Sequence, residues 1–188
     1  MSRFVDRGAI TAAYVGIGMA VTVLISFILI IPIEPVVWLA ALPSGLIIGY
    51  YANLRSNRRA GPWSRIIRNG VFAGLVTGLT TAVLLLGVKA LFFFADNGYR
   101  DPGAGGSLSC ASGAECVYRR YVDIGRGPDL AAAGVTDAAS FTAFYWRQQA
   151  FTAGLLIVIT TVGGLGGAAI YGRVRPRPSD EGAIARPA

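Results

Sequence analysis

The sequence predicts an all-α integral membrane protein: a four-transmembrane-helix bundle with a disulfide-stapled extracytoplasmic loop between helices 3 and 4. Three observations carry that expectation. Four apolar stretches are each long enough to cross a bilayer. Only 14% of the residues are charged, against about 25% in soluble domains. The 25 glycines suit helices that pack closely in lipid.

Residues 1–8 form a short N-terminus with Arg3 and Arg7. The first span runs roughly 9–31, AITAAYVGIGMAVTVLISFILII. It is longer than the apolar core of a signal peptide, about 7–15 residues. It also lacks an A-x-A cleavage site and ends in the turn IPIEP, so it reads as a retained helix. The second span, roughly 36–54, contains Pro43, which predicts a kink and a carbonyl freed from its helical donor. The basic loop 55–65 leads into the third span, roughly 66–95, which completes a membrane region of residues 9–95. Residues 96–149 are the long loop, 150–172 the fourth span and 173–188 a Pro-rich polar tail expected to be disordered.

Orientation follows from arginine. One side holds Arg3, Arg7, Arg55, Arg58, Arg59, Arg65, Arg68, Arg173, Arg175, Arg177 and Arg186 against Asp6, Asp180 and Glu181. The other holds Glu34, Asp96, Asp101, Glu115, Asp123, Asp129 and Asp137 against five arginines. The positive-inside rule places both termini and the 55–65 loop in the cytoplasm of a multi-pass plasma-membrane protein. Within that loop, Arg55, Arg58, Arg59, Arg65 and Arg68 beside Trp63 read as topology and lipid residues facing anionic head groups. Nucleic acid is a poor alternative for a segment tethered at the membrane.

Cys110 and Cys116, the only cysteines, then fall on the outer side, where disulfides persist. The spacing supplies too few ligands for a structural zinc site in a chain without histidine, and it is not the Cys-x-x-Cys of thiol oxidoreductases. A structural disulfide is expected. In the same loop, Tyr118, Tyr121 and Val122 can share one face of a short helix or strand, and GRGPDLAAAG reads as a turn-rich connection. Asp137 reads as the N-cap of a helix from Ala138 that continues into the fourth span. Such a helix is longer than the roughly 30 Å hydrocarbon core, so its first turns project outward. Phe141, Phe144, Tyr145 and Trp146 there fit an aromatic belt.

Gly45 and Gly49 on the second span, Gly70, Gly74 and Gly78 on the third, and Gly163 and Gly167 on the fourth recur at four-residue spacing. That places them on helix faces that admit close crossing, within the bundle or against another membrane protein or a second copy. SGLIIGYYANLRSNRR and GGLGGAAIYGRVRPRP echo each other, as a duplicated hairpin would, though membrane exits look alike for physical reasons.

The chemistry is sparse. Without histidine there is no imidazole for haem, zinc or a nucleophile pair, and no carboxylate sits mid-span. Lys89, the only lysine, lies roughly 31 Å along the third helix from Arg68, at the outer interface. There it can pair with Glu34 or Asp96. The expectation is a non-enzymatic protein without cofactors: an accessory or scaffold subunit that binds another membrane protein through its glycine faces and outer loop. The alternative is a small oligomeric channel or transporter whose path is lined by Gly and by Thr77, Thr80, Thr81, Thr160 and Thr161.

Overall fold

A computed structural model describes residues 6–29, 34–56, 61–95, 100–101, 106–107 and 110–175. Four long helices dominate: α1 (Arg7–Leu29), α2 (Glu34–Leu54), α3 (Trp63–Ala95) and, last in the chain, α6 (Ala138–Val174). Each is long and apolar enough to cross a membrane. The connection from α3 to α6 contains a minimal antiparallel pairing, β1 (Arg100–Asp101) with β2 (Gly106–Ser107), in which Arg100 stands opposite Ser107. It also contains α4 (Ala114–Tyr121), a segment (Val122–Arg126) kinked at Gly125, whose φ is +83°, and α5 (Gly127–Ala132). The tail beyond Arg175 falls outside the described residues.

The chain divides into two compact units, the first Met1–Leu84 with Gly154–Ala188 and the second Leu85–Ala153. The first unit is built opposite to a soluble domain. Small and polar residues fill its interior: Ala9, Ala12, Ala52, Ala73 and Ala168 are fully buried, and Asn53, Asn69, Thr77 and Thr160 nearly so. Large apolar side chains face outward, among them Tyr14, Leu39, Ile47, Leu79, Val83, Val158, Val162 and Ile170, each half exposed or more. In water such a surface is an aggregation liability. In lipid it is the expected arrangement, because close helix packing there comes from small residues.

Asp6 opens α1: its carbonyl accepts the Ala9 and Ile10 amides, and its carboxylate accepts the Ser56 hydroxyl at 2.5 Å. That bond ties the start of α1 to the end of α2. α2 runs on through Pro43.

The second unit has a core of its own. Phe93, Val117, Leu130, Val135, Phe141 and Tyr145 are buried together, with Tyr118, Tyr121, Phe144 and Trp146 packed at the edge. Phe93 comes from the last turn of α3 and Phe141 and Tyr145 from the first turns of α6. Helices of 33 and 37 residues reach roughly 50 and 55 Å, well beyond a hydrocarbon core of about 30 Å. The sequence-based assignment of Phe141, Phe144, Tyr145 and Trp146 to an aromatic belt is therefore corrected for two of the four. Phe141 and Tyr145 are buried against other rings of this unit, Phe141 5.6 Å from Tyr118 and 5.1 Å from Tyr121.

α5 ends in a Schellman motif, which the sequence reading took for a turn. The Val135 amide donates to the Leu130 carbonyl at 2.9 Å and the Gly134 amide to the Ala131 carbonyl at 3.0 Å. Gly134 has φ +76°, open to glycine at little cost. Leu130 and Val135, the residues whose backbones meet, both enter the core.

Asp137 caps α6: its carboxylate accepts the Ser140 amide at 2.7 Å and the Ser140 hydroxyl at 2.8 Å. The Ser140 backbone bond, then its hydroxyl, holds the Asp137 carboxyl below its ordinary 3.8. A group whose pKa is lowered by folding contributes stability above its unfolded value and loses it as pH falls through the folded one. Asp137→Ala should therefore melt below the wild type at neutral pH, with the gap closing as pH drops below 3.8. Melting followed by circular dichroism from pH 7 to 3 checks this; a gap that does not change with pH contradicts it.

Candidate functional site

The glycines lie where the first unit's helices touch. A Cβ on Gly45 would overlap the Thr160 carbonyl oxygen and stand 3.0 Å from the Gly163 Cα. One on Gly49 would lie 2.7 Å from the Gly164 Cα. Gly163 and Gly167 return the contact, facing the Leu42 and Leu46 carbonyls of α2. α3 meets α6 in the same way: a Cβ on Gly70 would lie 2.6 Å from the Ala168 Cβ, one on Gly74 2.8 Å from the Thr160 oxygen, and one on Gly78 3.0 Å from the Ile157 Cα. Backbones this close leave no room for a third helix. The expectation that these faces dock another membrane protein is accordingly revised: all seven glycines are engaged by helices of their own chain.

The reading missed Gly164, whose Cβ would lie 3.0 Å from the Gly74 Cα. Its signal was the Gly163–Gly164 doublet. Successive helical residues point about 100° apart, so a doublet serves two neighbours, here α2 and α3. Gly8 and Gly16 were missed too; they meet the Ser56 amide region and the Thr77 side chain.

Asn53 and Asn69 were also overlooked. Each is 1% exposed. The Asn53 amide donates to the Gly49 carbonyl of its own helix at 3.0 Å and to the Ile66 carbonyl of α3 at 3.1 Å. The Asn69 amide approaches the Asn53 oxygen at 3.5 Å. Two amides in an apolar setting are costly to leave unbonded, so this pair fixes the register of α2 against α3. Asn inside an otherwise apolar run was the available signal.

Thr77, Thr80, Thr81, Thr160 and Thr161 each donate to the carbonyl four residues back, at 2.6–2.9 Å. That is the usual state of hydroxyls in membrane helices.

The chain matches no family model, no curated protein and no solved structure. Among the described residues no three His, Cys, Asp or Glu side chains gather as a metal site would require.

Cys110 and Cys116 are disulfide-bonded, with Cα atoms 5.4 Å apart. Gly113 between them has φ +124° and starts α4, a conformation that other residues adopt only with strain. Cys116 is fully buried and precedes the core residue Val117. The small ring therefore anchors α4. By chain entropy it contributes roughly 2 kcal/mol. Replacing both cysteines with serine should lower the stability of the second unit by that amount. Hydrogen exchange across Leu85–Ala153 measures it; unchanged protection would refute the structural role.

Of the basic residues, Arg55 lies over the Tyr51 ring and donates to its hydroxyl at 3.1 Å. Arg65 and Arg68 sit on the first two turns of α3 and are half-buried. Arg58, Arg59 and Asp96 lie outside the described residues, as does the Glu34 side chain, so the structure does not place a Lys89 pair with Glu34 or Asp96. Lys89 itself is half-buried, six residues before the end of α3. Among the echoed segments, Tyr50 and Tyr171 meet edge to face, their ring centroids 5.6 Å apart.

Proposed function

We propose that this protein is a non-enzymatic, multi-pass subunit of the plasma membrane, with both termini cytoplasmic, that supports another membrane protein through its disulfide-stapled outer unit. The observation that carries the reading is the separate core of that unit, six buried residues strong. Joining two neighbouring helices needs only a few residues. A stapled and capped unit with buried residues of its own from α3, α4, α5 and α6 is more than a connection requires. Val122 and Ile124, 40% and 44% exposed on the kinked segment after α4, are the large apolar side chains it offers outward away from the two long helices, whose ends in this unit also expose Leu91, Phe94 and Phe151. Arginine distribution supports the orientation, and the disulfide supports an oxidising outer side.

The glycines serve this reading differently from the sequence expectation. They lock the bundle as an anchor, and the outer unit is left as the recognition surface. A Thr- and Gly-lined path has less support, because those hydroxyls are bonded within their own helices and the glycine faces are closed.

The test is the native mass of the protein extracted in a mild detergent without reductant, with co-purifying chains identified. A stoichiometric complex with another membrane protein, lost on Ile124→Asp, is expected. A clean single-chain species or homo-oligomer contradicts the proposal and makes solute flux in liposomes the next measurement.

A further inference from the structure

The last turns of α3 expose apolar side chains that the core of the second unit leaves uncovered. Successive residues of an α-helix point about 100° apart, so Leu79, Val83, Leu91 and Phe94 fall within about a third of a turn around α3. All four are more than half exposed. The outward apolar row of α3 therefore continues along one side of the helix to its end.

Phe94 leads across to α6. Its ring stacks on that of Trp146, with centroids 6.0 Å and planes 17° apart. Phe93 and Tyr145 hold the same indole at 5.5 and 5.4 Å. Trp146 is thus fixed in place, only partly buried, and among the described residues no acceptor meets its indole N–H. An indole whose body rests on other rings and whose donor is left over suits the boundary between acyl chains and head groups. The level agrees: Phe94 lies about 39 Å beyond Arg68 along the helix axis, and a bilayer with its head groups is about 40–45 Å thick. From α4 to α5 the unit presents a different surface, where the side chains of Glu115, Arg119, Arg126 and Asp129 are all more than half exposed. A water-soluble partner cannot follow a row that continues down a membrane-spanning helix, so its continuity selects lipid.

We propose that Leu91, Phe94 and Trp146 seat the second unit in the head-group layer of the outer leaflet. Leu91 and Phe94 meet the upper acyl chains, the Trp146 N–H donates to a lipid ester carbonyl, and the charged side chains of α4 and α5 stay in water. The proposal rests on the helices crossing a bilayer and needs no partner subunit.

The test uses the full chain reconstituted alone into phosphatidylcholine liposomes, with Trp38→Phe and Trp63→Phe so that Trp146 is the only tryptophan. The quenchers are iodide on both sides of the membrane and phosphatidylcholine brominated either near the top of its acyl chains or near their ends. Trp146 emission should fall about twofold with the shallow bromines, less with the deep ones and little with iodide. Strong iodide quenching without lipid quenching overturns the proposal and is what a face kept for an absent partner would give. Quenching by neither also overturns it, and points to a second copy seated on the face. Stronger quenching by the deep bromines contradicts the head-group level. Should the tryptophan replacements not fold, bimane on Leu91→Cys in the otherwise unchanged chain gives the same reading, with bimane on the exposed Ala131→Cys as the water-facing control. Equal iodide quenching at those two positions overturns the proposal. A chain that does not float with the liposomes defeats the bilayer reading and the proposal together, and is seen before any quenching is measured.

Discussion

Replacing Gly49 with leucine should unfold the four-helix bundle in the isolated chain. Gly49 sits on α2 where a Cβ would lie 2.7 Å from the Gly164 Cα of α6. The obstacle is backbone, so no rotamer change relieves it. Overpacking among side chains costs about 1–3 kcal/mol; four heavy atoms forced between two backbones should exceed that range. Gly74→Leu, which meets the Thr160 carbonyl oxygen at 2.8 Å, should behave the same way. The matched control is Gly18→Leu on α1, where a Cβ finds nothing within 4 Å. Size-exclusion chromatography and melting in detergent should show aggregation or a large loss of melting temperature for Gly49→Leu and a native profile for Gly18→Leu. Should Gly49→Leu melt like the wild type and fail only to assemble, the glycine face would belong to a partner after all.

The second large effect is expected at Phe141. This ring is fully buried and touches Tyr118, Tyr121 and Tyr145, so it joins α4 to α6. Truncating a buried Phe costs about 3–5 kcal/mol. Phe141→Ala should therefore open the second unit while the first stays folded, since the two are separate compact units. Limited proteolysis should cut within Leu85–Ala153, with the total helical signal falling only slightly. Phe151→Ala is the control, because that ring is 74% exposed. Equal protease sensitivity of the two variants would mean that the aromatic cluster does not hold the unit together.

These two residues also show what the sequence could and could not convey. Gly49 was legible because spacing at four residues places small side chains on one helix face, and spacing is a local property. Which helix that face meets is not local, and the Gly163–Gly164 doublet became readable only once α2 and α3 were seen on either side of α6. The ends of the four long helices were legible to within three residues, since apolar runs end at Arg, Pro or Asp. Asp137 was legible because an N-cap is chemistry within four residues. Phe141 was misread. An aromatic near the end of a span looks the same whether it faces lipid or another ring, and only the arrival of Tyr118, Tyr121 and Phe93 decides. α5 was read as a turn because six residues carry too little periodicity, although its glycine and the apolar pair Leu130 and Val135 were in plain view. Asn53 and Asn69 were passed over because a search for charges inside spans does not see neutral amides.

The proposed topology has four helices crossing a bilayer and the disulfide-bonded residues on its outer side. The direct measurement is labelling of introduced thiols in intact cells with a membrane-impermeant maleimide. Cys110 and Cys116 are bonded and do not compete. Ala131→Cys, exposed in the second unit, should label in intact cells, whereas Ser64→Cys, exposed at the start of α3, should label only after lysis. The reverse pattern would invert the topology and leave the disulfide in a reducing compartment. Labelling of both thiols in intact cells would contradict four crossings.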